Sequence, residues 1–205
     1  MKKLLNLLVI ASVGFGADIA GDYLSISKDG KRYRFLTTFT KDGKIKLMGT
    51  DIGNWKKGED EKTILISSIF DNGKTRKDKI VLLNQKSLKL QDNKGVFSYR
   101  RIDREKLLQN NKNAPILGSW IFKSQDKIEY FIFKLPDNFR YILEEPNKSS
   151  TSKSEGNWYY DKSKKELLIA SMNAFLSGKS KIISVDKEKI VLIHQGKINT
   201  LKRKK

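Results

Sequence analysis

The sequence predicts an all-β protein: two tandem antiparallel meanders of seven to eight short strands each, closed as barrels or packed as sandwiches, after a cleaved signal peptide. Three observations carry that expectation. Apolar residues alternate at period two in short runs, turn signals separate the runs, and the whole pattern occurs twice in 205 residues.

The first sixteen residues read as an export signal. Lys2 and Lys3 form a positive start, Leu4 to Val13 an apolar run, and Gly14-Phe15-Gly16 a small-x-small cleavage pattern. The predicted cut falls between Gly16 and Ala17. About ten apolar residues fall well short of the roughly 20 that a membrane-spanning helix needs. No second long apolar stretch follows, so no transmembrane segment is expected in the mature chain. The Lys-Lys start with a short Leu-rich core looks bacterial, which points to the periplasm or the cell surface.

The first copy covers residues 17–102. Tyr33, Phe35, Thr37 and Phe39 fall on one face at period two, and Asp42-Gly43 follows as a hairpin turn. Ile45-Lys46-Leu47, Leu88-Lys89-Leu90 and Val96-Phe97-Ser98-Tyr99-Arg100 alternate as well. Residues 103–115 read as a linker, with one or two helical turns from Asp103 broken by Gln109–Asn113 and Pro115. The second copy covers residues 116–205. Ile19-Ala20-Gly21-Asp22-Tyr23 is matched by Ile116-Leu117-Gly118-Ser119-Trp120, and Tyr33-Arg34-Phe35 by Tyr130-Phe131-Ile132. Gly53-Asn54-Trp55 recurs as Gly156-Asn157-Trp158. Gly21, Tyr23, Gly53, Trp55, Gly118, Trp120, Gly156 and Trp158 are therefore expected to be structural. The polar segment Asn147–Gly156 reads as a mobile surface loop. Tyr130–Phe133 is apolar on both faces and is expected at the contact between the copies, the alternative being an exposed patch.

A strand opening on Gly-x-Trp, then a meander, then a basic closing strand resembles the lipocalin or calycin superfamily, and most of all short bacterial lipocalin-like domains. Gly118-Ser119-Trp120 carries the motif, with Gly21-Asp22-Tyr23 as a copy that has Tyr for Trp. The resemblance implies that the first-strand aromatic plugs the barrel bottom and that an Arg of the last strand packs across it. The positions that match are Arg100 or Arg101, and Arg203.

Composition removes several classes of function. Without Cys there is no disulfide, thiolate nucleophile or Cys-ligated metal, and a single His excludes a His-rich metal site. His194 reads as a surface or turn residue, and Glu59-Asp60-Glu61 and Glu144-Glu145 as solvated loops. No motif assembles a catalytic, metal or cofactor site, so none is expected. The 42 basic residues divide into 34 Lys and 8 Arg, and the chain without Lys2 and Lys3 has 40 basic against 23 acidic residues, a net charge of +17. That excess is either a solvated, compositional surface or an attraction to anionic envelope material. Export argues against nucleic acid as a partner.

The expected function is therefore an exported, non-enzymatic binding or interaction protein of the bacterial periplasm or cell envelope. Its contacts would be anionic envelope components or a protein partner, with Lys202, Arg203, Lys204 and Lys205 as candidate anionic-surface residues. The alternative is a carrier of a small apolar ligand inside a barrel. Its candidate contacts are Trp120, Tyr130, Phe133, Trp158, Tyr159 and Tyr160, because the second copy keeps Trp120 and has the more apolar second strand.

Overall fold

A computed structural model describes residues 18–148 and 150–204; the expected signal peptide and Lys205 lie outside the described residues. The first copy forms β1 (Gly21–Ile26), β2 (Tyr33–Phe39), β3 (Lys44–Leu47), β4 (Thr50–Lys57), β5 (Thr63–Ser68), β6 (Thr75–Leu83), β7 (Ser87–Asp92) and β8 (Gly95–Ile102). Each strand pairs antiparallel with the next, and β1 pairs with both β2 and β8. The sheet closes on itself, so the first copy is a barrel rather than a sandwich and leaves no edge unpaired.

The second half forms β9 (Gly118–Lys123), β10 (Ile128–Lys134), β11 (Asn138–Glu145), β12 (Ser150–Asp161), β13 (Glu166–Ser171), β14 (Gly178–Val185), β15 (Lys189–His194) and β16 (Lys197–Arg203). These strands pair in the same order, and β9 bonds both β10 and β16. Register repeats with the sequence. Gly21 faces Phe39 as Gly118 faces Phe133, and Trp55 faces Ile66 as Trp158 faces Ile169. The register also corrects one match. Tyr23 faces Thr37 and Trp120 faces Phe131, so Thr37 and not Arg34 is the counterpart of Phe131.

The cause is a bulge in β2. Between the pairs Leu24–Leu36 and Ile26–Tyr33, β2 spends three residues against two of β1. An odd residue flips the side chains beyond it to the other face. Tyr33 thus leaves the face of Thr37 and Phe39 and joins Leu36 outside the barrel.

Three polar segments fold more than their composition suggests. The linker forms α1 over Arg104–Lys112, capped by the Asp103 carboxylate on the Lys106 N–H (3.1 Å). It runs through Asn110 and Asn111 because Asn111 is buried and fully bonded. Its amide donates to Pro136 O and Trp158 O (2.9 and 3.0 Å), and its Oδ1 accepts from Tyr160 N (2.9 Å). Most of the expected loop at Asn147–Gly156 is strand: β12 starts at Ser150 and stays in register with β11 from Glu145–Ser150 to Asn138–Asn157. Backbone pairing with the apolar, aromatic β11 sustains a strand that its own Ser and Lys residues do not suggest. Glu144 and Glu145 likewise belong to β11 and not to a loop.

The copies touch through their outer faces. Leu24, Tyr33 and Leu36 of the first pack on Tyr159, Leu168 and Ala170 of the second, with Leu107 of α1 closing the cluster. Ser177 Oγ donates to Tyr33 O, and Arg100 bonds the Tyr33 hydroxyl (2.6 Å) and approaches Glu166 (3.7 Å). The segment expected there lies elsewhere. Phe131 and Phe133 are buried in the core of the second half, and only Ile132 faces the first copy, beside Met48.

Candidate functional site

Both halves close one end in the same way. The Tyr23 hydroxyl donates to Ile19 O (2.8 Å), and the Trp120 Nε1–H donates to Ile116 O (2.7 Å). Arg101 faces Tyr23 across the β1–β8 pair, its guanidinium 5.1 Å from the ring centre; Arg203 faces Trp120 at 4.2 Å. Each Arg also caps carbonyls of the entering chain: Arg101 those of Asp18 and Ala20, Arg203 that of Leu117. In the second half Gly118 makes room for this. A Cβ on Gly118 would sit 2.7 Å from the Arg203 guanidinium, and Gly118 has a φ of +112°. Of the two first-copy candidates, Arg101 holds the closing position and Arg100 turns outward to Tyr33.

At the other end the halves differ. The first barrel holds a cavity of about 380 Å³. Phe39 forms its floor, with Tyr23, Trp55 and Tyr99 set edge-on around that ring at centroid distances of 5.8, 6.0 and 6.2 Å. Ile45, Leu47, Ile52 and Ile66 form apolar walls, Phe70 and Phe97 stand at the opening, and Thr37, Ser68 and Arg76 supply polar contacts.

Arg76 is fixed from behind. In β6, residues 76, 78 and 80 point into the barrel, which places a charged pair in line with Ile80. Arg76 Nε donates to both Asp78 oxygens (2.9 and 3.2 Å) and Nη1 to Asp71 (2.8 Å), with Asp92 at 4.0 Å. Asp78 is fully buried; burial pushes its carboxyl above the usual range, and the bond from Arg76 pulls back against that. Burial pushes the Tyr99 phenol up to about 12, and hydrogen bonding has no part in that shift. The cavity therefore offers a held guanidinium, a neutral phenol and the Thr37 and Ser68 hydroxyls within a mainly apolar lining.

The same space in the second half is filled. Phe131 takes the place of Thr37 and Tyr141 that of Leu47, 5.5 Å apart by ring centres. The β13–β14 connection turns inward, burying Ala174 and Leu176 and stacking Phe175 on Phe122 (5.8 Å). In the first barrel the β5–β6 connection instead leaves Ile69 and Phe70 about two-thirds exposed, at 65% and 66%. Ligand space was expected in the second copy, where the apolar strand is. That strand's aromatics occupy the interior, and the open space lies in the first copy.

The candidate contacts fall accordingly. Trp120, Phe133 and Trp158 are core residues, and the Trp158 Nε1–H donates to Lys134 O (2.9 Å). Tyr159 points outward into the contact between copies and donates to Asp137 (2.8 Å), which also takes Arg104 at 3.0 Å. Tyr160 packs at the edge of the second core, and the Tyr130 hydroxyl bonds Glu144 outside it (2.8 Å). Lys202 and Lys204 are exposed, with the Lys204 ammonium 4.6 Å from the Tyr130 ring centre, whereas Arg203 is committed to Trp120. His194 is not at the surface. It lies inside the second half, 3% exposed, with Nδ1 2.9 Å from Ser180 Oγ, and burial lowers its pKa. Among the described residues, no group of three or more His, Cys, Asp or Glu is placed to hold a metal ion, and no helix is long and apolar enough to cross a membrane.

The residues missed by sequence reasoning are Thr37, Arg76 and Tyr99. Arg76-x-Asp78-x-Ile80 was a usable signal: charges at strand spacing on an apolar face belong to an interior polar pair. No protein-family model matches the chain, and no curated protein is significantly similar to it.

Proposed function

We propose that this chain is an exported, non-enzymatic binding protein of the bacterial envelope, built of two tandem lipocalin-like barrels. In this reading the first barrel carries a small, mainly apolar molecule with one hydrogen-bond-accepting end. The cavity is the observation that carries it, since about 380 Å³ falls within the roughly 300–1,000 Å³ of small-molecule pockets. Support for the tandem reading comes from the repeated register, the paired aromatic plugs and their arginines. Phe39, Ile45 and Ile66 hold the apolar part of the ligand, and Arg76 and the Tyr99 phenol meet its acceptor. The second barrel, filled and fused through α1, serves as a rigid support. Export rests on residues 1–16.

The test is titration of the chain from Ala17 with a hydrophobic dye whose emission rises out of water, followed by displacement with a fatty acid. Saturable binding at one site per chain, reversed by the fatty acid, is expected. Absence of saturable dye uptake by the folded protein would overturn the reading.

A further inference from the structure

Strand direction places four connections of the first barrel at its open end. β1 starts at the Tyr23 plug and runs away from it, so the β1–β2, β3–β4, β5–β6 and β7–β8 connections all gather around the cavity mouth. The β5–β6 tip is apolar where turns are ordinarily polar, and Val96 adds to it at the start of β8. Ile69 and Phe70 are 65% and 66% exposed, and Val96 is 50% exposed. Large apolar side chains crowded around an apolar opening are an unusual load on a soluble surface.

The charge beside them is one-sided. Arg34, Lys74 and Lys94 are exposed on this rim. The nearby acids are spent: Asp71 and Asp92 turn inward to Arg76, and Asp51 lies against Lys44 and Lys46 at 3.5 and 3.3 Å. Asp29 is outnumbered by the basic residues of its own loop. Apolar side chains beside cations that pair with no acid among the described residues fit a surface that is soft, apolar beneath and anionic on top.

We infer that the open end of the first barrel docks on an anionic lipid surface. Ile69, Phe70 and Val96 enter the acyl boundary, and Arg34, Lys74 and Lys94 lie among the headgroups. The docked mouth opens toward the bilayer, so the cavity exchanges its cargo with lipid rather than with bulk water. Exchange rests on the carrier reading, whereas docking stands on the rim alone.

The experiment is co-sedimentation of the mature chain with phosphatidylglycerol–phosphatidylcholine vesicles and with pure phosphatidylcholine vesicles, at low and high salt. The chain should bind the anionic vesicles, and Ile69→Ser/Phe70→Ser/Val96→Ser should weaken binding at least tenfold; these side chains are exposed, so the fold is not at stake. Lys74→Ser/Lys94→Ser should weaken it more than the charge-matched Lys202→Ser/Lys204→Ser. Unchanged binding of the triple variant, or equal losses in both charge pairs, would overturn docking by this rim. So would lipid-free dimerisation that the triple variant abolishes, which would make the rim a contact between copies. Dye titration of the Lys74→Ser/Lys94→Ser variant without vesicles separates the two proposals, because neither lysine lines the cavity.

Discussion

Replacing Thr37 by Phe writes into the first barrel what the second half already has. Phe131, at the matching register position, is fully buried and packs 5.5 Å from Tyr141 and 6.5 Å from Phe139. In the first barrel those two neighbours are Leu47 and Ile45, smaller residues that border the cavity. A phenyl ring at 37 therefore enters space that already exists. Full burial of such a ring contributes about 1.5–3 kcal/mol. Rotamer ordering and imperfect fit reduce this to a net gain of about 1 kcal/mol. For a chain of this size that is a rise in Tm of about 2–4 °C. The ring also removes ligand space, so dye affinity should fall at least tenfold, about 1.4 kcal/mol. Thermal melts and dye titrations on the same preparation read both numbers. A Tm that rises while dye affinity stays within twofold would place the ligand elsewhere. A Tm that falls by about 5 °C or more would mean that no such space exists.

Three other outcomes follow from the same packing. Arg76→Ala strands the buried Asp78 and Asp92 without their counter-charge and should cost about 3 kcal/mol at neutral pH. Because burial already raises the Asp78 pKa, the folded state of the variant gains protons first, so its deficit should shrink as pH falls; a pH-independent deficit in denaturant melts would contradict the burial argument. His194 is the only His in the chain, and its pKa is lowered by burial and by the Arg32 charge. The unfolded chain takes up that proton near pH 6.5 while the folded chain resists, so stability should be full above that pH and decline below it; His194→Asn should flatten the decline between pH 7.5 and 5.5. Arg203→Ala removes the cation over Trp120 and a bond to Lys187 O at 2.9 Å, and should cost about 1–2 kcal/mol with a shift in Trp emission. Unchanged emission would show that Arg203 does not cover the ring.

What was legible in the sequence is what the backbone dictates locally. Alternation over Ile45–Leu47 and Leu88–Leu90 identified strands, because a half-buried pleat must alternate. The repeated Gly-Asn-Trp identified equivalent positions, because a Cβ at Gly53 or Gly156 would lie 2.1 or 2.0 Å from the carbonyl oxygen of the next strand. The lipocalin resemblance pointed to Arg203 and to either Arg100 or Arg101, and only the β1–β8 register chose Arg101. Features decided by distant partners were not legible. Asn111 is a poor helix residue until Pro136, Trp158 and Tyr160 bond it. Ser150–Ser154 looks like loop until β11 pairs with it. Tyr33 sits at period two with Thr37, and only the bulge turns it outward. The cavity was hidden for a related reason: it depends on what fills the interior, and an apolar strand such as Tyr130–Phe133 fills the interior of its own half.

The most direct measurement is native mass spectrometry of the mature protein gently extracted from its own host, alongside the Thr37→Phe variant. A reproducible extra mass of a few hundred daltons on the native protein, absent from the variant, is the result the carrier reading requires. A bare chain in both cases, alone or with a second protein, would contradict it and move the function to the surface.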